Sequence, residues 1–437
     1  MSTIRRRVAC RYLLAEVPPR GRSPGHPAGG SGKERVFVDV DDDARTIGAR
    51  VRQIRKSRGK SLVVIAGLAG FSKSKLSCIE RGEIALDSRS DILALADALQ
   101  IAPSELVTLP VPAPGNGHTD ATVEAVRLVL TAVGYGRAGG LVLPVDVLRD
   151  RVRRLQEMRR RCRFAEAATE LPGLIRDLHT TLATGRDVAE LLPLAVYLHV
   201  VVTSVWLLDA GAPIDMRREV AFLARRLARE HGEDVTLGVA ALATTRQLID
   251  QGQFGLAQAG LDAVPLPATT PETAGLVGAL VLRHAKVAAV DNRAGDAVAA
   301  METAAELAAR FGETGENDSL GFAFGPTDVG LYRMAIALEA GEPDQAVSVA
   351  QTIQPQRHPF KTRQSAYWMD YGRALARVPR RGDEAVLALR KAERLFPIQV
   401  QRNPFVREVL AALLTRSRRD AVGRELRGMA YRAGLPV

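Results

Sequence analysis

From Ile47 onward, apolar and polar positions follow the 3.6-residue period of amphipathic helices. Ile65, Ala66 and Ala69 recur on one face of a short segment, and Leu76 and Ile79 do so on the next, with Gly70-Phe71-Ser72 between them. Gly70 permits a sharp backbone reversal, and Phe71 after it is expected to be a buried plug. Ser61 and Ser72 each precede an apolar-periodic run, where a hydroxyl accepts from the free amides of a first helical turn, so both are expected N-caps. Residues 47–82 therefore read as three short helices, the last two joined by a tight turn. Lys73, Ser74, Ser77 and Cys78 are left facing outward.

The pattern breaks at PVPAPGNGH, from Pro110, which has the composition of an extended connector and places a domain boundary near 110–118. GYGRAGG, from Gly134, follows a helical pattern rather than a strand, so it reads as a turn and not as a phosphate-cradling loop. From about Leu148 a theme repeats: a helical segment, a short Gly or Asp turn, then an Ala-rich second helix. Copies align on Ala297, Ala346 and Ala385, with Gln253–Ala257 fitting an earlier one. Small residues let two helices approach closely, so each copy is expected to be an αα-hairpin that buries its face by stacking on neighbours. The expected fold is all-α: a five-helix domain over 44–109, a linker with one helix over 110–147, and an α-solenoid over 148–437. Residues 1–43, rich in Arg, Pro and Gly, are expected to form a disordered tail, unless translation starts later, near Val38 or Val40.

Charge changes the picture of the first domain. The chain carries a net +11, and residues 45–82 hold ten Lys or Arg against one acid, Glu80. Such concentration fits a polyanionic partner, and two helices joined by a tight turn have the geometry that lowers one of them into the DNA major groove. The segment from Ile47 to about Leu109 resembles the Cro-repressor or XRE family of helix-turn-helix regulators. The likeness rests on Ile47-Gly48, Arg58-Gly59, Ser61, Ile65-Ala66, Ala69-Gly70-Phe71-Ser72, Ser77 and Ile79-Glu80-Arg81-Gly82. It continues in Ile92, Leu93, Leu95, Ala96, Ala98 and Leu99, and in Pro103-Ser104-Glu105-Leu106. The resemblance implies a recognition helix over about Ser72–Arg81, with Lys73, Ser74, Ser77 and Cys78 at the bases and Lys73 donating to guanine O6/N7. Arg50, Arg55, Ser61, Ser72, Lys75 and Arg81 complete the expected DNA-contacting set. The chain departs from the family at Leu62 and Val63-Val64, where members usually carry Gln and Glu, so the phosphate contact expected from that Gln is absent.

The later hairpins resemble degenerate tetratricopeptide repeats, with Arg163–Ala167 as a first copy. The stretch from Phe324 is similar to the carboxy-terminal half of actinobacterial XRE regulators with helical-repeat sensor domains. Stacked hairpins of that kind commonly take a signalling peptide or partner protein in a groove. Phe324, Asp328, Tyr332, Arg333, Tyr367, Trp368 and Tyr371 are the candidates for lining it; the competing reading is core packing between hairpins. Double-stranded DNA is the expected partner, and a homodimer is expected because one such domain buries little surface on DNA. The reading is a sequence-specific transcriptional regulator with a dimerising or sensing repeat domain; the alternative is a repeat-based adaptor that binds DNA non-specifically.

Other classes lack signals. Cys10, Cys78 and Cys162 are widely spaced and odd in number, which offers no disulfide framework or zinc spacing and suits a cytoplasmic, nucleoid-associated protein. No apolar run reads as reaching the roughly 18 residues of a bilayer span. The nearest, from Leu191, contains Pro193, His199, Thr203 and Ser204 and reads as a buried helix, so no membrane partner is expected. The seven histidines are scattered singly, and there is no HExxH, P-loop or GxSxG motif, so no catalytic residue, metal or cofactor is expected.

Overall fold

The computed structural model describes residues 44–107, 117–313, 322, 324–417 and 420–437. The expected tail, 1–43, and most of the Pro-rich connector, 108–116, lie outside these residues. Every element among the described residues is a helix. The N-terminal domain consists of α1 (Ile47–Ser57), α2 (Leu62–Leu68), α3 (Lys73–Glu80), α4 (Arg89–Leu99) and α5 (Pro103–Val107). Its three leading caps are side-chain hydroxyls: Thr46 accepts from the Ala49 amide, Ser61 from Val64 at 3.3 Å and Ser72 from Lys75 at 3.0 Å. Ile47, Val51, Ile65, Leu76, Ile79, Leu95, Leu99 and Leu106 fill its core. Phe71 is only half-buried, because the Lys75 ammonium lies over its ring, 3.9 Å from the centroid, and holds one face at the surface.

The remaining helices form a solenoid-like stack. They begin with α6 (Gly117–Gly134), α7 (Val145–Arg160), α8 (Phe164–Leu182) and α9 (Val188–Tyr197), then a π-helical segment at Leu198–Thr203 and α10 (Ser204–Asp209). The middle holds α11 (Ile214–His231), α12 (Asp234–Asp250), α13 (Phe254–Asp262), α14 (Pro271–Val290) and α15 (Ala294–Phe311). The end comprises α16 (Pro326–Glu339), α17 (Pro343–Thr352), α18 (Lys361–Arg377), α19 (Gly382–Leu395), α20 (Pro397–Arg402), α21 (Pro404–Leu414) and α22 (Ala421–Arg432).

Five hairpins share one turn. In α7–α8, α12–α13, α14–α15, α16–α17 and α18–α19, a residue of positive φ closes the first helix: Cys162, Gly252, Asn292, Gly341 or Arg380. Five positions later stands a buried alanine, Ala167, Ala257, Ala297, Ala346 or Ala385, where the second helix presses on the first. In the first four, the amide after the left-handed residue returns to a carbonyl of the preceding helix, as in Gln253 to Leu248 at 2.8 Å and Glu342 to Ala337 at 2.9 Å. These bonds satisfy helix-end carbonyls that would otherwise be orphaned.

Two sequence expectations need correction. The helix assigned to the linker is part of the stack: Val123, Val126, Val129 and Leu130 of α6 are buried in the core with Leu171, Leu174 and Leu178 of α8. The stack thus begins at Gly117 and not at 148, and the 134–140 turn is pinned to α8, with the Gly140 amide donating to Thr180 at 2.9 Å. Second, two helical stretches are long and apolar enough to cross a membrane: Val188–Asp209, with mean hydropathy 2.1, and Thr273–Val290, at 1.3. The scattered Pro, His, Thr and Ser that appeared to interrupt the first are too few to lower its average. Of these windows 72% and 61% are buried within the fold.

Candidate nucleic-acid interface

Between α2 and α3 the chain bends by 109°, within the range of helix-turn-helix corners. Gly70, at φ +71°, makes the bend, and the Phe71 amide closes it by donating to the Ala66 carbonyl at 2.7 Å. Helix α1 crosses behind α3 so closely that a Cβ on Gly48 would lie 2.2 Å from the Ile79 carbonyl oxygen. Behind the seam, Arg55 of α1 grips Glu80 of α3 through Nε–Oε1 and Nη2–Oε2 bonds of 2.6 and 2.7 Å, both side chains nearly buried. The outer face of α3 is left to solvent: Lys73 and Ser74 are exposed, and Ser77 and Cys78 are half-buried beside them. Residues 46–109 match the family described as "Helix-turn-helix domain". This segment is a helix-turn-helix DNA-binding domain. No curated protein and no solved structure matches the chain.

Within the helix-turn-helix domain the expected DNA-contacting residues divide into distinct roles. Arg55 is not available to DNA: its fork holds Glu80, its remaining nitrogen donates to the Lys60 carbonyl at 2.9 Å, and the Glu80 carboxylate raises its pKa. Ser61 and Ser72 are exposed N-caps, which orient their helix amides outward. Lys75 sits between the Phe71 ring and Asp91, 3.0 Å from the carboxylate. Arg81 is exposed but forked onto Glu83 at 2.6 and 2.8 Å, which pulls the Glu83 carboxyl down to about 2. The same guanidinium donates to the Cys78 sulfur at 3.4 Å and to the Ser77 hydroxyl. Arg50 is half-buried and donates to Gln53 at 2.9 Å. Lys73 and Ser74 are thus the most exposed of the expected base-reading set, and Arg52, Lys56 and Lys60 of the same domain are exposed as well. On α2, Val63, Val64 and Leu68 project into solvent, 60%, 46% and 67% exposed.

The opposite side of the helix-turn-helix domain is fixed to the solenoid, and the described residues from 44 onward form one compact unit. Asp87, before α4, is buried between Arg373 and Arg377 of α18, with a 3.1 Å contact to Arg373. Arg89 reaches Glu339 at 2.6 Å and Asp250 at 3.3 Å, and Lys286 shares Glu339 at 2.9 Å. Burial alone would push the Glu339 carboxyl up, but the Lys286 and Arg89 charges hold it well below the usual range. Glu408 of α21 accepts from the Ile47 amide at the start of α1. None of these ties has a local signature, since the partners lie from 53 to 361 positions apart.

The groove residues do not converge as expected. Phe324 is buried against α14, where it fills the space beside Gly278, and the Tyr367 hydroxyl donates to the Ala350 carbonyl at 3.0 Å inside the core. Asp328 is buried with His358 at 2.9 Å and Arg363 at 3.3 Å. Trp368 and Tyr371 pack on that core, and Arg333 is exposed elsewhere. Tyr332 lines the cavity described below. Packing between hairpins accounts for the buried and half-buried others, and Arg333 stands apart from them at the surface.

Proposed function

We propose that the chain is a sequence-specific transcriptional regulator of the cytoplasm, in which a helical-repeat domain of tetratricopeptide type senses a signal and pairs two copies on DNA. The observation that carries this reading is the two-sidedness of the helix-turn-helix domain. Its recognition helix faces solvent with Lys73 and Ser74 exposed, while its back is ion-paired to the solenoid. That arrangement makes the attitude of the recognition helix depend on the solenoid, as a signal-responsive regulator requires. Fluorescence-anisotropy titration of the full chain against its own upstream DNA and a scrambled control, at two salt concentrations, tests it. The expected result is a preference that persists at higher salt and is lost in Lys73→Ala, with light scattering giving a dimer on the preferred fragment. Equal affinities that vanish together as salt rises would support the adaptor reading instead, which the apolar Val63, Val64 and Leu68 on the DNA-side helix favour.

A further inference from the structure

A cavity of about 390 Å³ lies where the helix-turn-helix domain meets the solenoid, in the size range of sites for small organic ligands. Leu93 and Val107 form part of the wall on one side; α12, α14, α16 and α18 supply the other. Nine basic side chains and four carboxylates line it. The carboxylates are already engaged. Asp250 is shared by Arg89 and Arg217, Glu339 by Arg89 and Lys286, Asp370 takes Arg373 at 2.7 Å, and Asp209 accepts from Gln399 at 3.2 Å.

Arg246 and Arg283 are left over. Neither makes an ion pair or hydrogen bond to a described residue; Arg283 has only the Tyr332 ring, 5.9 Å from its guanidinium carbon, and its buried Nε has no acceptor. Burial and the neighbouring Arg283 charge pull the Arg246 guanidinium down to about 9, against the opposing charge of Asp250, a carboxylate that Arg89 and Arg217 already share. A guanidinium is not relieved by giving up its proton. It is relieved by an oxyanion, which it can fork with two parallel bonds.

We propose that this junction cavity is the effector site of the regulator and takes a small organic ligand through a carboxylate or phosphate group held by Arg246 and Arg283. Apolar Leu93, Ile249 and Met369 accept the ligand's body, and Tyr332 closes one side. The inference rests on the sensing role proposed above and names the chemistry of the signal. Because Arg89 and Leu93 belong both to the wall and to the docking surface of the helix-turn-helix domain, an occupant would change how firmly that domain is held.

Thermal unfolding of the full chain in pyrophosphate or succinate, against sodium chloride of equal ionic strength, tests the site. Both probes are run on the parent protein, on Arg246→Met and Arg283→Met, and on Lys73→Ala as a control for anions on the DNA-binding face. The expected result is a rise of a few degrees over chloride in the parent and in Lys73→Ala, abolished in the two arginine variants. A response to pyrophosphate alone assigns a phosphate ligand, and to succinate alone a carboxylate. No rise in the parent, or an equal rise in the arginine variants, overturns the proposal. The arginine variants are expected to match or exceed the parent midpoint in chloride, which separates lost binding from misfolding. The DNA titration above is run without probe, so failure of the regulator reading and failure of this site are distinguishable.

Discussion

Arg55 offers a sharp test, because a basic residue in a basic segment invites assignment to DNA while the structure gives it to Glu80. The pair carries two bonds of 2.6 and 2.7 Å, with side-chain exposures of 10% and 4%. Replacing Arg55 by Met leaves the Glu80 carboxylate in a dry seam without a counter-charge, a loss of about 3–5 kcal/mol. At 1.4 kcal/mol per tenfold, that lowers the closed-to-open ratio of the α1–α3 contact by roughly 10²–10⁴. Replacing both residues, as Arg55→Met with Glu80→Leu, removes the stranded charge and is expected to recover stability to within about 1 kcal/mol of the parent. Hydrogen exchange reads local opening, so peptides covering 47–57 and 73–80 should exchange much faster in the single variant and near the parent rate in the double. DNA affinity should fall and recover in parallel. If Arg55→Met weakened DNA binding with no change in exchange, and the double variant failed to restore it, Arg55 would be a DNA contact and the ion-pair account would be refuted.

Three further outcomes are expected. Gly48→Ala places a Cβ 2.2 Å from the Ile79 oxygen, so α1 and α3 must part at a cost of about 1–3 kcal/mol; unchanged DNA affinity and unchanged melting would contradict that crossing. Asp87→Ala takes the buried carboxylate from Arg377 and leaves Arg373 with Asp370 alone, a loss of about 3 kcal/mol, and should open the 81–90 turn to limited proteolysis; a parental digestion pattern would show that the dock does not depend on it. His179 and His199 are buried with their Nε2 atoms 2.8 Å apart, and burial pulls the first down to about 4 and the second well below its ordinary value. Both folded values lie below the unfolded one of about 6.5, so the neutral pair's stability is present above pH 6.5 and is lost as pH falls toward 4. The slope is about 1.4 kcal/mol per unit for each histidine. Melting between pH 7 and 5.5 should show the decline, and His199→Gln, with one titrating group fewer, should flatten it; an identical slope would remove the pair as its source.

How much of this was readable from the chain depended on distance along it. The corner between α2 and α3 is legible because its parts are local: a left-handed Gly70, two serine caps and an apolar seam, all between Ser61 and Ile79. The hairpin register on Ala257, Ala297, Ala346 and Ala385 was legible for the same reason, although the left-handed residues that set it include Asn292 and Arg380, which carry no glycine signal. Arg55 was misread because Glu80, its partner, sits 25 positions away and on another helix. Order along the chain makes groove candidates of the aromatics from Phe324 to Tyr371, because it does not reveal that Gly278 leaves a space for Phe324 or that Ala350 awaits the Tyr367 hydroxyl. Arg246, Arg283 and Arg363 carry no sequence signal, since three helices bring them to one cavity and no spacing connects them.

The separation of the two faces of the N-terminal domain has a consequence for how such a regulator diversifies. Asp87, Arg89 and Leu93, which anchor it, lie in and after the turn that follows α3, whereas Lys73 and Ser74 stand on the far side of that helix. On the proposed reading, substitutions at Lys73 and Ser74 can therefore drift toward new operators without disturbing the anchorage, and new promoters come within reach one side chain at a time. Grafting the whole domain onto another stack is a different matter. The incoming domain would have to bring an acid for Arg373 and Arg377 and a cation for Glu339, or leave the host's Asp370 and Lys286 as their remaining counter-charges.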